Sequence, residues 1–210
     1  MKLSPVELNT TTDAQKLLLE QAKKELKMIP NMYKVMVNVP GLLDTYRVGY
    51  AHLRKESGLS PVELETIYLT ISVENMCIYC VGAHSFLADT VSNVPVAVTD
   101  AIRNQTELPD KKLQALSTFT RVMVNKRGNP SPSDVEAFLQ AGYSEHHILY
   151  IILAIAIKTI SNYTNHIFDT ELDTVFKLRE WKSYKFVRGI AKFFKRDYYN
   201  YPIINDSKFK

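Results

Sequence analysis

The sequence predicts an all-α fold, with one large helical domain followed by a basic C-terminal extension. The 210 residues are 46% hydrophobic, which is ample for a buried core, and only seven are glycine. Residues that favour long helices dominate, whereas short Val, Ile and Thr runs bounded by Gly turns, typical of strands, are missing. Signals for helix starts and stops recur along the chain, and they define the expected elements.

The first helices are predicted from capping residues and prolines. Thr12 is a suitable N-cap, and the helix that follows should stop before Pro30. In the stretch from Ser60 to Glu63, serine is the N-cap, proline fits the first turn and glutamate completes a capping box. Gly142 is a C-terminal stop signal. We expect helices at about 13–28, 31–38, 42–55, from Ser60 onward, and at 96–104, 110–126, 134–141 and 144–168.

The last of these helices contains the longest apolar run, residues 148–157. Its centre is apolar on all sides, so we expect it to be buried. The run is too short to span a bilayer, which needs about 20 residues. Residues 1–7 lack the apolar segment of a secretory signal, and a closely spaced cysteine pair without such a signal fits a reducing compartment. These observations predict a cytoplasmic protein.

The most informative motif is formed by Cys77 and Cys80, the only cysteines of the chain, with His84 four residues further on. On one helix the three side chains share a face. Two thiols at this spacing can form a disulfide, and a nearby imidazole can accept a thiol proton, since only the thiolate is a nucleophile. Redox chemistry is therefore the first interpretation. Buried structural thiols and a zinc site remain alternatives, although no confident fourth zinc ligand is visible.

Glu65 precedes Cys77 by twelve residues. In one straight helix, twelve steps of about 100° would place the two side chains roughly 120° apart, so Glu65 could hardly reach the thiols. A break near Asn75 and Met76 would remove this obstacle. It would also place Cys77 at the start of a second helix, where the helix dipole favours a thiolate.

With these residues in place, the chain resembles the AhpD-like alkylhydroperoxidase and carboxymuconolactone decarboxylase family. The family pattern is a glutamate, eleven residues and then Cys-x-x-Cys-x-x-x-His, which Glu65, Cys77, Cys80 and His84 match at every position. The resemblance covers about residues 28–175. Two downstream stretches look like a second recurrent segment of the family, 156–166 and 170–173.

The resemblance implies an all-α fold, usually a trimer or a hexamer, and reduction of a hydroperoxide by the thiol pair. Cys80 matches the cysteine that attacks the peroxide, Cys77 its resolving partner, and His84 with Glu65 the proton relay. An external dithiol, on a lipoylated or thioredoxin-type protein, would then reduce the disulfide, and no metal, haem or flavin cofactor is needed.

The chain departs from the family pattern at two positions. Met76 stands where the family often has glycine. Tyr79 stands between the cysteines, where the best-studied peroxidase branch has histidine, and tyrosine is a poor base near neutral pH. A relay through that position is therefore weakened or different.

Two other functions remain open. The first is a lyase acting on a lactone acid, although the decarboxylase branch generally lacks the cysteine pair. The second is a non-enzymatic assembly or membrane-associated protein. His166 is expected to satisfy a helix end rather than to line the site. Surface positions are the default for the other histidines, and caps or ion pairs for two aspartates: His52, His146, His147, Asp169 and Asp173.

The positive charge of the chain is concentrated at its C-terminus. Residues 177–210 carry ten Lys or Arg against three acidic side chains, a net charge of +7, whereas the rest of the chain has a net charge of −3. We therefore divide the chain into a helical domain, residues 1–175, and a basic extension, residues 176–210. A packed amphipathic helix is the expected form of the extension. Peripheral contact with an anionic membrane is the alternative, and no nucleic-acid partner is expected.

Overall fold

The computed structural model describes residues 3–180, and these form nine α-helices and two short 3-10 helices, with no strand among them. The all-α prediction is therefore confirmed. The 3-10 helices are Leu8–Thr10 and Thr174–Glu180. The α-helices are α1 (Asp13–Leu26), α2 (Asn31–Met36), α3 (Pro40–Glu56), α4 (Pro61–Glu74), α5 (Ile78–Thr90), α6 (Val96–Arg103), α7 (Lys111–Asn125), α8 (Pro132–Gln140) and α9 (Glu145–Phe168).

The helix boundaries follow the local signals in the sequence, mostly within one or two residues of the prediction. Thr12 and Ser60 are N-caps with complete capping boxes, in which the cap side chain and the residue three positions on bond each other's backbone N–H. Proline occupies the first turn of α3 and α4, where its missing N–H costs no intrahelical hydrogen bond. Lys27 ends α1 in the left-handed conformation.

The expected break between Glu65 and the cysteines is present. α4 ends at Glu74, and Met76 adopts a left-handed backbone with φ 55°. The N–H groups of Met76 and Cys77 bond the carbonyls of Val73 and Ser72, each at 2.9 Å. These two bonds form a Schellman motif, which normally has glycine at the position that Met76 occupies. The turn reverses the chain so that α5 begins directly after Cys77.

α4 is the central helix of the fold. Its residues from Leu64 to Ser72 are all buried, and it packs against α5, α6, α7 and α9. A helix surrounded on all sides has no solvated face, which explains why apolar side chains lie all around it, with buried hydroxyl groups at Thr66, Thr70 and Ser72 among them. Glu65 lies within this buried stretch and is only 2% exposed. A carboxylate in such a place requires hydrogen-bonding partners.

The prediction that the centre of α9 is buried on all sides is wrong. Leu149 is 64% exposed and Ile152 is 48% exposed, so one face of the helix is open. The opposite face packs on α3, α4 and α5. It carries a buried stripe of polar side chains, Lys158, Ser161, Asn162 and Asn165. The apolar residues of α9 therefore lie on two sides of the helix. Those on one side are exposed, and those on the other are packed against the core.

Among the described residues, α9 is also the one helix that is long and apolar enough to cross a membrane. Length and apolar composition alone do not distinguish a membrane span from the core helix of a soluble protein.

The C-terminal 3-10 helix packs on α5. Phe176, the first residue of the predicted extension, is buried, with its ring edge-on to that of Tyr79. The predicted amphipathic helix and its membrane contact lie in residues 181–210, outside the described residues.

Candidate active site

The two cysteines are buried and reduced at the start of α5. Cys77 is the N-cap residue of this helix, and its sulfur accepts the backbone N–H of Cys80 at 3.4 Å. Both side chains are free thiols, with exposures of 0% and 2%. The turn after α4 and the first turn of α5 thus hold the sulfurs close together in the interior. This is the arrangement that the sequence predicts.

Glu65 and His84 form the second half of the predicted constellation. The Nδ1 atom of His84 lies 2.8 Å from Oε2 of Glu65, and both side chains are buried. Burial and the charge of Lys158 lower the pKa of His84, against the opposing effect of Glu65. The imidazole is therefore neutral near pH 7. With Glu65 accepting a proton at Nδ1, the other ring nitrogen is left as an acceptor.

Tyr50 forms a hydrogen bond with that second nitrogen. Its hydroxyl lies 3.0 Å from Nε2 of His84 and donates to it in this tautomer. Burial raises the pKa of Tyr50 well above its usual value, so the phenol stays protonated. Both ring nitrogens of His84 are therefore engaged, and Tyr50 and His84 both line the cavity into which Cys80 faces. A proton can pass between the cavity and Glu65 along Tyr50 and His84.

The two sulfurs have different electrostatic surroundings. Burial alone would raise the pKa of Cys80, but the hydrogen bond with Cys77, the charge of Lys158 and a hydrogen bond from Asn165 together lower it well below its usual value. The hydrogen bond with Cys80 and burial raise the pKa of Cys77. These surroundings favour Cys80 as the thiolate of the pair and Cys77 as the thiol.

α9 supplies the polar groups around the sulfurs. The amide of Asn165 lies 3.3 Å from the sulfur of Cys80 and 3.9 Å from that of Cys77. The hydroxyl of Ser161 lies 3.8 Å from the sulfur of Cys80. Asn165 also contacts the sulfur of Met32 at 3.2 Å, which ties α2 to the same centre.

A cavity of about 50 Å³ opens beside Cys80. This volume is enough for a few water-sized groups. Its walls are mostly aromatic and apolar, with a small number of polar groups, as in small-molecule sites. They include Met32, Tyr33, Tyr46, Tyr50, Arg54, Tyr79, Cys80, His84, Lys158 and Phe176.

Tyr79, the residue between the cysteines, has a structural partner. Its hydroxyl donates to Oδ2 of Asp173 at 2.5 Å, and burial raises its pKa well above the usual value. Asp173 also accepts the backbone N–H of Asn31 at 3.2 Å, which caps the start of α2. Asp173 thus acts as a cap, one of the two roles, cap or ion pair, that the sequence predicts for it. Tyr79, through Asp173, links α2, α5 and the C-terminal 3-10 helix, and a phenol that stays protonated does not serve as a base.

The remaining histidines lie away from the thiols. His166 is exposed, while its neighbour Asn165 reaches the sulfurs. His52 pairs with Glu56 on the surface, and His147 bonds Ser144 at the start of α9. Within residues 3–180, no group of three or more His, Cys, Asp and Glu side chains is placed to hold a metal ion.

Sequence reasoning missed four residues of the site: Tyr50, Lys158, Ser161 and Asn165. They come from α3 and α9, far from the cysteine motif in the chain, and no spacing rule links them to it. Two signals were available. Lys158, Ser161 and Asn165 lie in residues 156–166, the stretch that resembles a second recurrent segment of the family. Lys158 is also the one charged residue that follows a long apolar run, and a buried charge commonly marks a functional site.

Comparison with known proteins supports the fold. No protein-family model matches the chain, and no curated protein matches it. The structure is similar to the alkylhydroperoxidase AhpD core of an uncharacterized peroxidase-related protein from Ralstonia eutropha JMP134. The TM-score is 0.76 with 20% identity, covering 84% of this chain and 94% of that one. An uncharacterized peroxidase-related protein from Silicibacter sp. TM1040 gives 0.70 with 21% identity, covering 83% and 95%.

A third similar structure is the debrominase Bmp8 in complex with 2,3,4-tribromopyrrole. Its TM-score is 0.69 with 14% identity, covering 84% of this chain and 94% of that one. The AhpD-like all-α fold implied by the resemblance is thereby confirmed. At such identities the similarity shows the fold alone.

Proposed function

We propose that this protein is a thiol-dependent hydroperoxide reductase in which Cys80 attacks the peroxide and Cys77 resolves the product. The observation that carries the proposal is the polarised thiol pair. A sulfur with a lowered pKa faces a small cavity, and a protonated thiol lies one helical turn away. A low-pKa thiolate beside a resolving cysteine is the arrangement that reacts readily with peroxides.

In the first step the Cys80 thiolate attacks the distal oxygen of the hydroperoxide. The O–O bond breaks, a sulfenic acid forms, and the departing alkoxide takes up one proton to become an alcohol. The hydroxyl of Tyr50 is the donor facing the cavity, and His84 and Glu65 stand behind it. Tyr50 gives its hydroxyl proton to the alkoxide. It regains a proton when the external dithiol, which brings two protons, reduces the disulfide to one thiol and one thiolate, so charge and protons balance.

In the second step the Cys77 thiol attacks the sulfenic sulfur of Cys80. A disulfide forms and water leaves. An external dithiol, on a lipoylated or thioredoxin-type protein, then reduces the disulfide by exchange and is itself oxidised. The overall reaction consumes one peroxide and one external dithiol and yields an alcohol, water and an oxidised donor.

A second candidate function comes from the similarity to the debrominase, because an enclosed thiolate can also act on a halogenated ring. The peroxide remains the proposed substrate, because the cavity is small and a second thiol is ready to form a disulfide. The lyase alternative would leave the thiol pair without a role.

The decisive experiment is a turnover assay on wild type, Cys80→Ser and Cys77→Ser. Hydrogen peroxide and tert-butyl hydroperoxide are tested with lipoylated protein or thioredoxin as donor, and 2,3,4-tribromopyrrole is the comparison substrate. We expect Cys80→Ser to abolish peroxide consumption. Cys77→Ser should stop after one turnover, with a sulfenic acid that dimedone traps on Cys80. Full peroxide turnover by Cys80→Ser would refute the proposal. So would a wild-type protein that turns over tribromopyrrole but neither peroxide.

A further inference from the structure

Lys158 is a buried cation that gives and takes no proton in the proposed reaction. Its side chain is 0% exposed, and its ammonium group has no hydrogen-bond partner in the described part of the chain. A buried ammonium ion without a compensating charge is strongly unfavourable in a protein interior. Lys158 nevertheless lies in the wall of the cavity beside Cys80. Its charge therefore calls for an anion at that place.

The carboxylates near the site are already engaged. Glu65 bonds His84, and Asp173 bonds Tyr79 and the backbone of Asn31. None of the described side chains that line the cavity is a carboxylate.

The other ionisable groups of the cavity do not supply a negative charge near neutral pH. Burial raises the pKa of both Tyr50 and Tyr79, so these phenols remain neutral. Arg54 is a second cation, with its guanidinium over the ring of Tyr50. Cys80 is the one thiol in the described cavity wall, and its ionised form can compensate Lys158. The titratable and charged groups that line the cavity with it are Tyr33 from α2, Tyr46, Tyr50 and Arg54 from α3, Tyr79 and His84 from α5, and Lys158 from α9. Cys77 contacts Cys80, and Glu65 contacts His84.

We infer that Lys158 is the fixed counter-ion that holds Cys80 as a thiolate, and that it is the positioning residue for the nucleophile. This inference rests on the proposed function only in taking Cys80 as the reacting thiol. α9 presents Lys158, Ser161 and Asn165 on one face, and the latter two lie 3.8 and 3.3 Å from the sulfur of Cys80. The same helix face thus provides a charge and a hydrogen-bond donor for the thiolate.

This assignment divides the work between two groups of residues. Burial and Lys158 lower the pKa of His84, and both of its ring nitrogens are bonded, so an imidazolium is not what stabilises the thiolate. Lys158, beside the hydrogen bond from Cys77, supplies the positive charge that favours the ionised form of Cys80. Tyr50, His84 and Glu65 move the proton to the leaving oxygen. The two roles predict different effects when the residues are changed.

The test is the pH profile of Cys80 alkylation by iodoacetamide in the reduced full-length protein, read by mass spectrometry of the cysteine peptide. The variants are Lys158→Met, Lys158→Gln and Lys158→Arg. Lys126→Met, which removes an exposed lysine paired with Asp134, is the matched control. Circular dichroism confirms that each variant is folded. Removing a buried charge in favour of methionine should not prevent folding.

We expect Lys158→Met and Lys158→Gln to slow alkylation by about tenfold or more near pH 6, because the smaller thiolate fraction lowers the rate in proportion. The curves should converge at high pH, and Lys158→Arg and Lys126→Met should follow the wild type. A folded Lys158→Met or Lys158→Gln protein with the wild-type profile would overturn the inference, as would a Lys158→Arg profile as displaced as theirs. A displaced profile in a protein that consumes no peroxide would refute the proposed function and leave the role of Lys158 standing.

Discussion

Cys77 and Cys80 are the same residue type three positions apart, and their different chemistry comes from neighbours on other helices. Cys80 faces Lys158 and Asn165 from α9, whereas the hydrogen bond with Cys80 and burial raise the pKa of Cys77. A thiolate beside a protonated thiol is what an attack followed by resolution requires.

At the residue scale the sequence reveals the local part of this site but not the part that folding assembles. The spacing of Cys77, Cys80 and His84 on one helix is visible in the sequence, and Glu65 joins them through the family pattern. Tyr50 and Lys158 are not visible in this way, because they reach the cavity only when α3 and α9 pack around the thiols. Tyrosine is common in this chain, with 12 copies, so its residue type alone singles out no position.

We predict that Tyr50→Phe slows peroxide reduction and leaves alkylation of Cys80 nearly unchanged. The variant keeps the ring but removes the hydroxyl that bridges the cavity and His84. Loss of a proton donor typically costs about 100-fold or more, and a water could replace part of it, so we expect a drop of about 10- to 100-fold. Stopped-flow peroxide consumption and iodoacetamide kinetics measure the two effects separately.

Tyr143→Phe is the control for this experiment. Tyr143 stacks on Phe138, and neither residue lines the cavity. The control should react with peroxide at the wild-type rate. If Tyr50→Phe does the same, the proton route through Tyr50 is wrong.

At the scale of the elements, the sequence predicts the helices well because caps and prolines mark their ends. The break after α4 could also be predicted, since a straight helix would have separated Glu65 from the thiols. The open face of α9 could not. Apolar composition shows that a helix can be buried, but only tertiary packing decides which side is covered, and Leu149 and Ile152 remain exposed.

The contact between α3 and α9 positions Tyr50 and Lys158, two of the four site residues that the sequence did not reveal. Gly49 precedes Tyr50, Ile157 precedes Lys158, and a Cβ atom at Gly49 would lie only 2.4 Å from a methyl group of Ile157. A branched side chain on a packed helix has little freedom to move away. The two helices therefore approach this closely only because residue 49 is glycine.

We predict that Gly49→Ala lowers the free energy of unfolding by about 1–3 kcal/mol, the usual cost of overpacking a well-packed contact. Gly41→Ala is the matched control on the same helix, because a Cβ atom there meets nothing within 4 Å. The control should be neutral or slightly stabilising. Urea unfolding followed by circular dichroism gives both values. Equal midpoints for the two variants would show that the helices can separate at no cost.

At the scale of the whole molecule, the AhpD-like fold follows from the resemblance of the cysteine motif and is confirmed by similarity over most of the chain. The assignment of residues 176–210 as a separate extension stays a prediction. Phe176 already packs against Tyr79 at the cavity, so a truncation that spares the site should leave the segment up to Glu180 in place.

The described surface carries several large apolar side chains that are exposed to solvent. Met76 and Ile78, on either side of Cys77, are 82% and 84% exposed, and Leu149, Ile152, Tyr163 and Ile167 form an open apolar face on α9. Exposed apolar side chains in such numbers commonly mark interaction sites. Such surfaces are suitable for the expected trimer or hexamer and for the docking of an external dithiol protein. Both remain predictions.

The central claim is that Cys80 and Cys77 act as an attacking and a resolving thiol. The most direct measurement is the intact mass of the reduced protein after treatment with one equivalent of hydrogen peroxide, followed by peptide mapping. We predict a loss of two hydrogens, located in a disulfide between Cys77 and Cys80, and consumption of both free thiols. An unchanged mass with both thiols still reactive, or oxygen added to Cys80 without a disulfide, would contradict the claim.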